Sequence, residues 1–449
     1  MQSLKRKIII KVDEQKYLLV NPYTGLADII DEETCQLLQH DSISVDSDTI
    51  RTLQARGHIV HEGDEEDLLD YLEQQAKKLH QEALQYHNHC LIPTYGCNLR
   101  CLYCYEKHMY KNEVKLTPVM NKKTVDAFFS TILSMDSDGP QRLITLYGGE
   151  PLQLKNKEII QYILSLGNSH GYTFEVVTNG ADFQHFVPLL STVSVKSVQI
   201  TLDGPERIHD ARRFRPGKKG TFQDITRGID MAVDHDIPVK IRINVDSDNL
   251  DHIPEFADFY QEKGWYPAAK AYACSVRSSS CSPYTRVIPP EDFSRKMIDL
   301  FVHDRRMELF PGTFGSFNFV FGHLFLGTPL KKRFWGCSAH TSLFFYDPFG
   351  DIYACGEAVG HKEHRIGTFL PELTLNENYH NWRGRTIHTV PECADCSLSL
   401  FCGGACAFKA YLKNGSIYSP YCDHAKSSVE HEAKYLYHLM ETRGTMLSH

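Results

Sequence analysis

No window of the 449-residue chain holds the 18 or so uninterrupted apolar residues of a membrane-spanning helix. A basic excess is also missing: 48 Lys and Arg face 56 Asp and Glu, for a net charge of −8, which gives no support to a nucleic-acid partner. There is no internal repeat and no low-complexity segment. The opening "MQSLKRKIIIKVDEQKY" turns from basic to apolar, but its three isoleucines are too short a run for a signal-peptide core. The length allows roughly two to four domains with ample core. These absences lead to the expectation of a globular cytoplasmic protein with no membrane and no nucleic acid among its partners.

Cysteine is plentiful, with 14 residues. That is far below the density of a small disulfide scaffold, and in a reducing compartment clustered cysteines bind metal or do chemistry. Ten of the fourteen fall into two tight groups, leaving Cys35, Cys90, Cys274 and Cys281 outside. Cys35 and Cys90 read as small buried hydrophobes. The 23 histidines show no ligand-like clustering.

The chain divides by texture. Residues 1–60 form a small unit: "KIIIKV" and "KYLLVNP" read as strands, "DEETCQLLQ" as a helix capped by Asp31, "SDTIRTLQARG" as a second helix stopped by Gly57, and "HIV" as a returning strand. Two helices with a flanking sheet suggest a winged-helix shape. Residues 64–87 predict one amphipathic connecting helix, with Leu68, Leu72, Ala76, Leu79 and Ala83 at helical spacing. From 89 to about 275, six strand signals alternate with helices, which implies a parallel sheet curved into a barrel or part of one. Chemistry in such folds sits at the carboxyl ends of the strands. The first cysteine group, "GGEP", "TNG" and "LDGP" follow the first four strands in turn and would share one mouth. From about 327 the chain turns cysteine- and glycine-rich, starting with a hairpin that has a cysteine at each end.

"CNLRCLYCYE" places Cys97, Cys101 and Cys104 within eight residues. A structural zinc site needs four closed ligands, usually as two pairs, and this run offers three. A [4Fe–4S] cubane held by three thiolates keeps one iron open to a ligand that is not protein, and an amino acid would chelate it through amine and carboxylate. The run resembles the cluster motif of the radical S-adenosylmethionine (SAM) enzymes. In that family the open iron holds the methionine part of the cofactor, and cleavage of the sulfonium yields a 5′-deoxyadenosyl radical that abstracts hydrogen. The resemblance implies further roles. Tyr103 would meet the adenine. Gly148, Gly149 and Glu150 of "GGEP" would bind the cofactor's amino group. Thr201 would contact ribose, Arg213 would pair with the cofactor carboxylate, and Asn244 in "RINVD" would also reach the cofactor.

The second group runs Cys337, Cys355, Cys393, Cys396, Cys402, Cys406 and Cys422. Its spacing resembles the seven-cysteine SPASM extension of radical SAM enzymes, which binds two auxiliary [4Fe–4S] clusters. The resemblance implies three clusters in all, with Cys393, Cys396, Cys402 and Cys422 closing one auxiliary cluster and Cys337, Cys355 and Cys406 holding the other. For that three-cysteine set, Cys274 or Cys281 reaches over, a non-thiolate binds, or the site is open. An open iron could hold a substrate thiolate, which motivates a cysteine-containing substrate and a thioether product. Sulfatase-maturing relatives carry an aspartate after the cysteine matching Cys355. Here Gly356 follows and then Glu357, which reads as a surface carboxylate.

The N-terminal unit is similar to the elements that recognise the leader of ribosomally made precursor peptides, taking it as an added strand. The expectation is an α/β protein in three parts. Residues 1–87 are a winged-helix-like recognition element with its linker helix, 88–320 a partial (β/α)6 TIM-like barrel, and 325–449 the SPASM domain. The partners implied are a precursor peptide with its leader and a flavodoxin- or ferredoxin-type electron donor. Competing expectations are carbon–carbon cross-linking or epimerisation of a peptide by the same chemistry, and a zinc-stabilised binding protein without chemistry. The sequence names no catalytic acid or base.

Overall fold

The computed structural model describes residues 1–39, 48–106, 118–136, 142–276, 284–310, 332–422 and 425–443. Cys281 lies outside the described residues.

The first strands are β1 (Gln2–Ser3), β2 (Ile8–Lys11) and β3 (Lys16–Val20). β4 (Ala27–Asp31) completes an antiparallel β2-β3-β4 sheet. The sequence reading passes over β4 because "ADIID" carries two aspartates, and aspartate is depleted in strands; pairing with β3 overrides that preference. Asp31 caps the helix Glu32–Leu37 as expected, its side chain accepting from Thr34 N at 2.8 Å. Gly57 adopts a φ of 73° just past the helix Asp48–Ala55. β5 (Ile59–Val60) then pairs with β1, not with the three-stranded sheet. Leu19, Ile30, Cys35, Leu38, Ile50, Leu53 and Ile59 form a small core, with Cys35 acting as a hydrophobe.

The helix Asp64–Leu84 is the expected connector. Leu68, Leu72 and Ala76 pack with Phe334, Ile387, Val390 and Leu400 of the C-terminal region. Leu79 is 43% exposed, so the buried stripe stops one turn earlier than its spacing predicts.

Six parallel strands follow: β6 (Asn88–Leu91), β7 (Leu143–Leu146), β8 (Thr173–Thr178), β9 (Val195–Thr201), β10 (Val239–Val245) and β11 (Ala269–Ser275). Each lies beside its predecessor, and helices separate every pair along the chain. This is the βα order of a parallel sheet that the alternating pattern predicts. On β10 the period-2 rule divides the residues: Ile241, Ile243 and Val245 join the main core, while Arg242 and Asn244 line the cavity described below.

The expected hairpin between Cys337 and Cys355 is β12 (Leu343–Tyr346) and β13 (Asp351–Tyr353), turning at Gly350 with a φ of 94°. β12 also pairs in parallel with β6, and β14 (Arg365–Thr368) and β15 (Thr374–Leu375) follow, so the C-terminal region continues the barrel strands as one ten-stranded sheet. The sequence does not predict that junction, because it depends on a register across some 250 residues. Cys90 on β6 is buried beside Phe345 and Tyr353, and burial pushes its thiol up to about 12. Among the described residues no helix is long and apolar enough to cross a membrane.

Candidate active site

The loops after the barrel strands enclose a cavity of about 350 Å³. Cys97, Cys101, Tyr103, Cys104, Gly148, Gly149, Glu150, Thr201, Arg213 and Asn244 all line it, so the structure brings every residue predicted for the first site to one mouth. The cysteine loop is fastened on three sides. Glu150 N donates to Gly96 O at 3.0 Å and Gln153 Nε2 to the same oxygen at 2.7 Å. Asn179 Nδ2 donates to Asn98 Oδ1 at 2.8 Å and to Cys97 Sγ at 3.6 Å. Arg100 N and Leu102 N donate to the carbonyls of Phe214 and Arg212 at 2.8 and 3.0 Å. Burial, followed by the neighbouring Cys101, pushes the Cys97 thiol up to about 12. Burial also pushes Cys104 well up, with Glu106, Cys101 and Cys97 adding to it. Three half-buried cysteines lining one cavity suit a bound cation that would hold them as thiolates, so the donor set fits a metal cluster.

Gly148 and Gly149 let the second loop approach the first. Gly148 has a φ of 120°. A Cβ on Gly149 would stand 2.2 Å from Tyr95 O and 2.6 Å from Gly96 O, so only glycine fits there. Glu150, expected as the ammonium acceptor, also has a structural role. Its carboxylate already accepts from Leu152 N at 2.8 Å, Thr178 Oγ1 at 2.6 Å and Asn179 N at 2.6 Å, which ties the "GGEP" loop to the "TNG" loop. Burial pushes this carboxyl up to about 7 despite those donors.

Tyr103 is anchored by its hydroxyl, which donates to Asp203 and accepts from Arg213 Nη1 at 2.8 Å and Asn244 Nδ2 at 3.1 Å. Arg213 is buried, and its Nε has no hydrogen-bond partner among the described residues. A buried guanidinium with a spare donor in this cavity suits an anionic group. The adjacent Arg212 instead pairs with Asp203 and Asp246. Asp203 therefore organises Tyr103, Arg212 and, through Asn244 N at 2.9 Å, the end of β10. The sequence reading uses "LDGP" only as a motif and misses this clamp; an acid directly after a strand at the mouth is the signal. Glu106, Tyr147 and Arg242 also line the cavity and were not singled out for it. Burial pushes Glu106 up to about 7.

The remaining cysteines separate into two sets. Cys393, Cys396, Cys402 and Cys422 line a second cavity of about 340 Å³, walled also by Ile8, Ile10 and Val429. Burial pushes the Cys393 thiol up to about 12, with Cys402, Cys422 and Cys396 adding to it. Cys355 is pushed up by burial and then by Cys406 and Cys337. Arg385 is fully buried, and its charge reaches Cys393, Cys406, Cys337 and Cys402, members of both sets. A four-thiol cavity suits a closed cluster. Cys274 lies against Asn244 Oδ1 at 3.5 Å, toward the first cavity. Glu357 is not a surface carboxylate as expected: it forms part of the first cavity's wall, two residues past Cys355.

The histidine expectation also needs correcting. His87, His89 and Asp136 come together, although 47 residues separate His89 from the aspartate. The Asp136 carboxylate meets His87 Nδ1 at 3.1 Å, His89 Nε2 at 3.0 Å and the Tyr172 hydroxyl at 2.9 Å. These contacts satisfy the carboxylate as a buried hydrogen-bond network beneath the barrel.

Comparison with known proteins agrees with this geometry. The cysteine-type anaerobic sulfatase-maturating enzyme of Clostridium perfringens is 23% identical across 69% of this chain and 86% of its own. The antilisterial bacteriocin subtilosin biosynthesis protein AlbA of Bacillus subtilis is 25% identical across 74% of this chain and 70% of its own. The structure of native anSMEcpe with bound AdoMet superimposes with a TM-score of 0.61 at 20% identity, covering 80% of this chain and all (100%) of that one. Streptococcus suis SuiB bound to precursor peptide SuiA gives 0.52 at 15% identity, covering 93% of this chain and 98% of that one. At these identities the two structures speak to the fold alone. Residues 91–260, which carry the three-cysteine mouth, match the radical SAM superfamily, whose members bind a [4Fe–4S] cluster and SAM, so the chain contains a radical SAM domain.

Proposed function

We propose that the protein is a peptide maturase that joins a cysteine sulfur of a ribosomally made precursor peptide to a carbon of an acceptor residue. The observation that carries this reading is the separation of the C-terminal cysteines into a set of four and a set of three, with the set of three continuing through Gly356 and Glu357 into the wall of the first cavity. When bound, the cofactors supply a hydrogen-abstracting radical at the first site and, at the three-cysteine set, an acceptor for the electron released as the C–S bond closes. Hydrogen leaves the acceptor carbon as an atom, and the thiol gives up its proton. Cys97, Cys101 and Cys104 hold the first cluster. Tyr103, Gly148, Gly149, Thr201, Arg213 and Asn244 seat SAM, and Glu150 fixes the loops that carry it. Cys393, Cys396, Cys402 and Cys422 hold one auxiliary cluster, and Cys337, Cys355 and Cys406 the other.

Residues 1–87 act as the leader-recognition element, 88–320 as the barrel and 325–449 as the SPASM domain. β2 packs on the helix Ala425–Arg443 through Ile8, Ile10, Val429 and Ala433. β4 is the other edge of its sheet, with Leu26 and Ile29 exposed beside and on it, which supports strand addition of a leader there. A flavodoxin- or ferredoxin-type donor supplies the electron. Sulfatase maturation is disfavoured locally: a Cβ on Gly356 would meet Phe345 at 3.0 Å, so an aspartate there would displace the ring.

The test uses anaerobically reconstituted protein, dithionite, SAM and the peptide encoded beside its gene. Mass spectrometry is expected to show two hydrogens lost per modification, with matching loss of alkylatable thiol. Two hydrogens lost with every thiol still free would mean carbon–carbon linkage, and a colourless protein holding zinc would remove the radical reading altogether.

A further inference from the structure

Arg242 is a charged residue of the first cavity for which the reading above has no use. It projects from β10 on the same face as Asn244, opposite the core residues Ile241 and Ile243. Its Nε donates to Asn244 Oδ1 at 2.9 Å. Across the ladder it faces Tyr272 of β11, whose hydroxyl donates to Gln199 at 2.6 Å and stands within hydrogen-bonding reach of the guanidinium as an uncharged partner. Two neighbouring arginines have carboxylates: Arg212 has Asp203 and Asp246, and Arg215 has Asp182 and Asp224; Arg213, with its spare donor, is assigned to the cofactor. Among the described residues no carboxylate lies within ion-pairing distance of Arg242; burial works against its charge, and the neighbouring Cys274 and the tyrosines Tyr272, Tyr147 and Tyr103 raise it above the ordinary value overall. A guanidinium kept below the surface without a counter-charge is costly, so its place in a cavity calls for an anion that arrives with a ligand.

The position narrows which ligand. Cys97, Cys101, Gly148, Gly149, Thr201 and Arg213 account for the cofactor. The wall beyond these residues includes Tyr105, Glu106, Tyr147, Gln199, Arg242 and Glu357. Glu106 and Glu357 act on the Tyr147 hydroxyl in one direction and Arg242 in the other, so this half of the cavity has a cationic and an anionic side. The anionic side is shared by Glu106 of the first cysteine loop and Glu357 of the Cys355 loop. The cationic side stands beside Thr201, the direct ladder partner of Arg242 on β9.

We propose that Arg242 binds a carboxylate of the substrate, supplied by the side chain of the residue whose C–H is attacked, so that the acceptor is Asp or Glu. This deepens the peptide-maturase reading and rests on it. The planar guanidinium fork can take both oxygens, which fixes the rotation of the side chain as well as its distance and presents one C–H to the cofactor. A carboxylate at the end of the peptide chain has the same chemistry, and the experiment separates the two sources.

The full-length reconstituted protein is given the peptide encoded beside its gene, and tandem mass spectrometry locates the modified residue. Three changes follow: Asp→Asn or Glu→Gln at that position, amidation of the peptide C-terminus, and Arg242→Gln in the protein. The expected result is an acidic modified residue. Replacing it by the amide should lower kcat/KM by on the order of a hundredfold, because the guanidinium is then left unpaired. Amidation of the terminus should change kcat/KM by less than about threefold, since it leaves that carboxylate in place. Arg242→Gln should match the loss seen with the amide peptide and show no further loss on it, while iron content and SAM affinity by equilibrium dialysis stay at the parent level. Arg242→Lys should recover part of the rate, as a point charge without the fork. An acceptor that is not acidic overturns the proposal. So does loss on amidation alone, or loss of SAM affinity in Arg242→Gln, which would give the guanidinium to the cofactor. The alkylation readout is independent: free thiols with an acidic acceptor would sink the thioether reading and leave Arg242 in place, and the reverse result would do the opposite.

Discussion

Arg385 offers the sharpest test of how the two C-terminal cysteine sets are held. Its side chain is fully buried. Nε donates to Ile417 O, Nη2 to Gly404 O at 2.5 Å and Ser419 O at 3.3 Å, and Nη1 to Ala405 O at 3.3 Å. Gly404 and Ala405 lie between Cys402 and Cys406, one cysteine from each set. Ile417 and Ser419 lie on the approach to Cys422. The guanidinium therefore ties together loops that carry ligands of both sets. Arg385→Met keeps the length of the side chain and removes every donor. Counting only the two short charge-assisted bonds, at about 1.5–3 kcal/mol each, the loss is about 3–6 kcal/mol. Relief from burying the charge offsets part of this, leaving about 2–4 kcal/mol, a large share of a domain's total stability. The loops should then open. Iron per chain, measured on anaerobically reconstituted protein, should fall from about twelve, three clusters of four, to about four. SAM binding at the first site should persist. Unchanged iron and an unchanged melting temperature would refute the claim that Arg385 holds these loops.

Two further outcomes are expected. Gly149→Ala forces a Cβ against the backbone carbonyls of Tyr95 and Gly96, at about 1–3 kcal/mol for overpacking. SAM affinity by equilibrium dialysis should drop at least about tenfold, and an unchanged affinity would show that this contact does not shape the cavity. Glu432 is buried on the helix Ala425–Arg443, and neither carboxylate oxygen is hydrogen-bonded among the described residues. Burial pushes its carboxyl up to about 8 from an ordinary value of 4.5. The folded state then holds the proton more tightly than the unfolded state, so stability is lost as pH rises from about 4.5 to 8. The upper limit is about 5 kcal/mol. Glu432→Gln should therefore raise the melting temperature at pH 8.5 and leave it nearly unchanged at pH 4.5; equal shifts at both would contradict the burial argument.

Local chemistry was legible in the chain wherever a feature depends on spacing along it. The cap at Asp31 and the six alternating βα units follow from short-range pattern, because caps and strand periods operate over a few residues, whereas the division of the C-terminal cysteines into sets is what the resemblance to the SPASM extension implies. The same pattern misled where it could not register partners. β4 was hidden by its two aspartates, and Glu357 read as surface because nothing adjacent to it reveals that the Cys355 loop turns into the mouth. The motif around Glu150 did not reveal Thr178 and Asn179, which donate to its carboxylate and tie the two loops together.

By itself the sequence determined the donor set, three thiols and then seven, together with a parallel α/β frame able to bring loops after successive strands to one face. Only the tertiary structure decided which charges meet. Among the described residues, Arg212 goes to Asp203 and Asp246 while Arg213 keeps a spare donor for the cavity; Arg385 lands between two cysteine sets; Arg242 meets no carboxylate; and β12 fuses the C-terminal region to β6. The physical reason is that buried charge and strand register are settled by contacts between segments far apart in the chain, and no local periodicity encodes them.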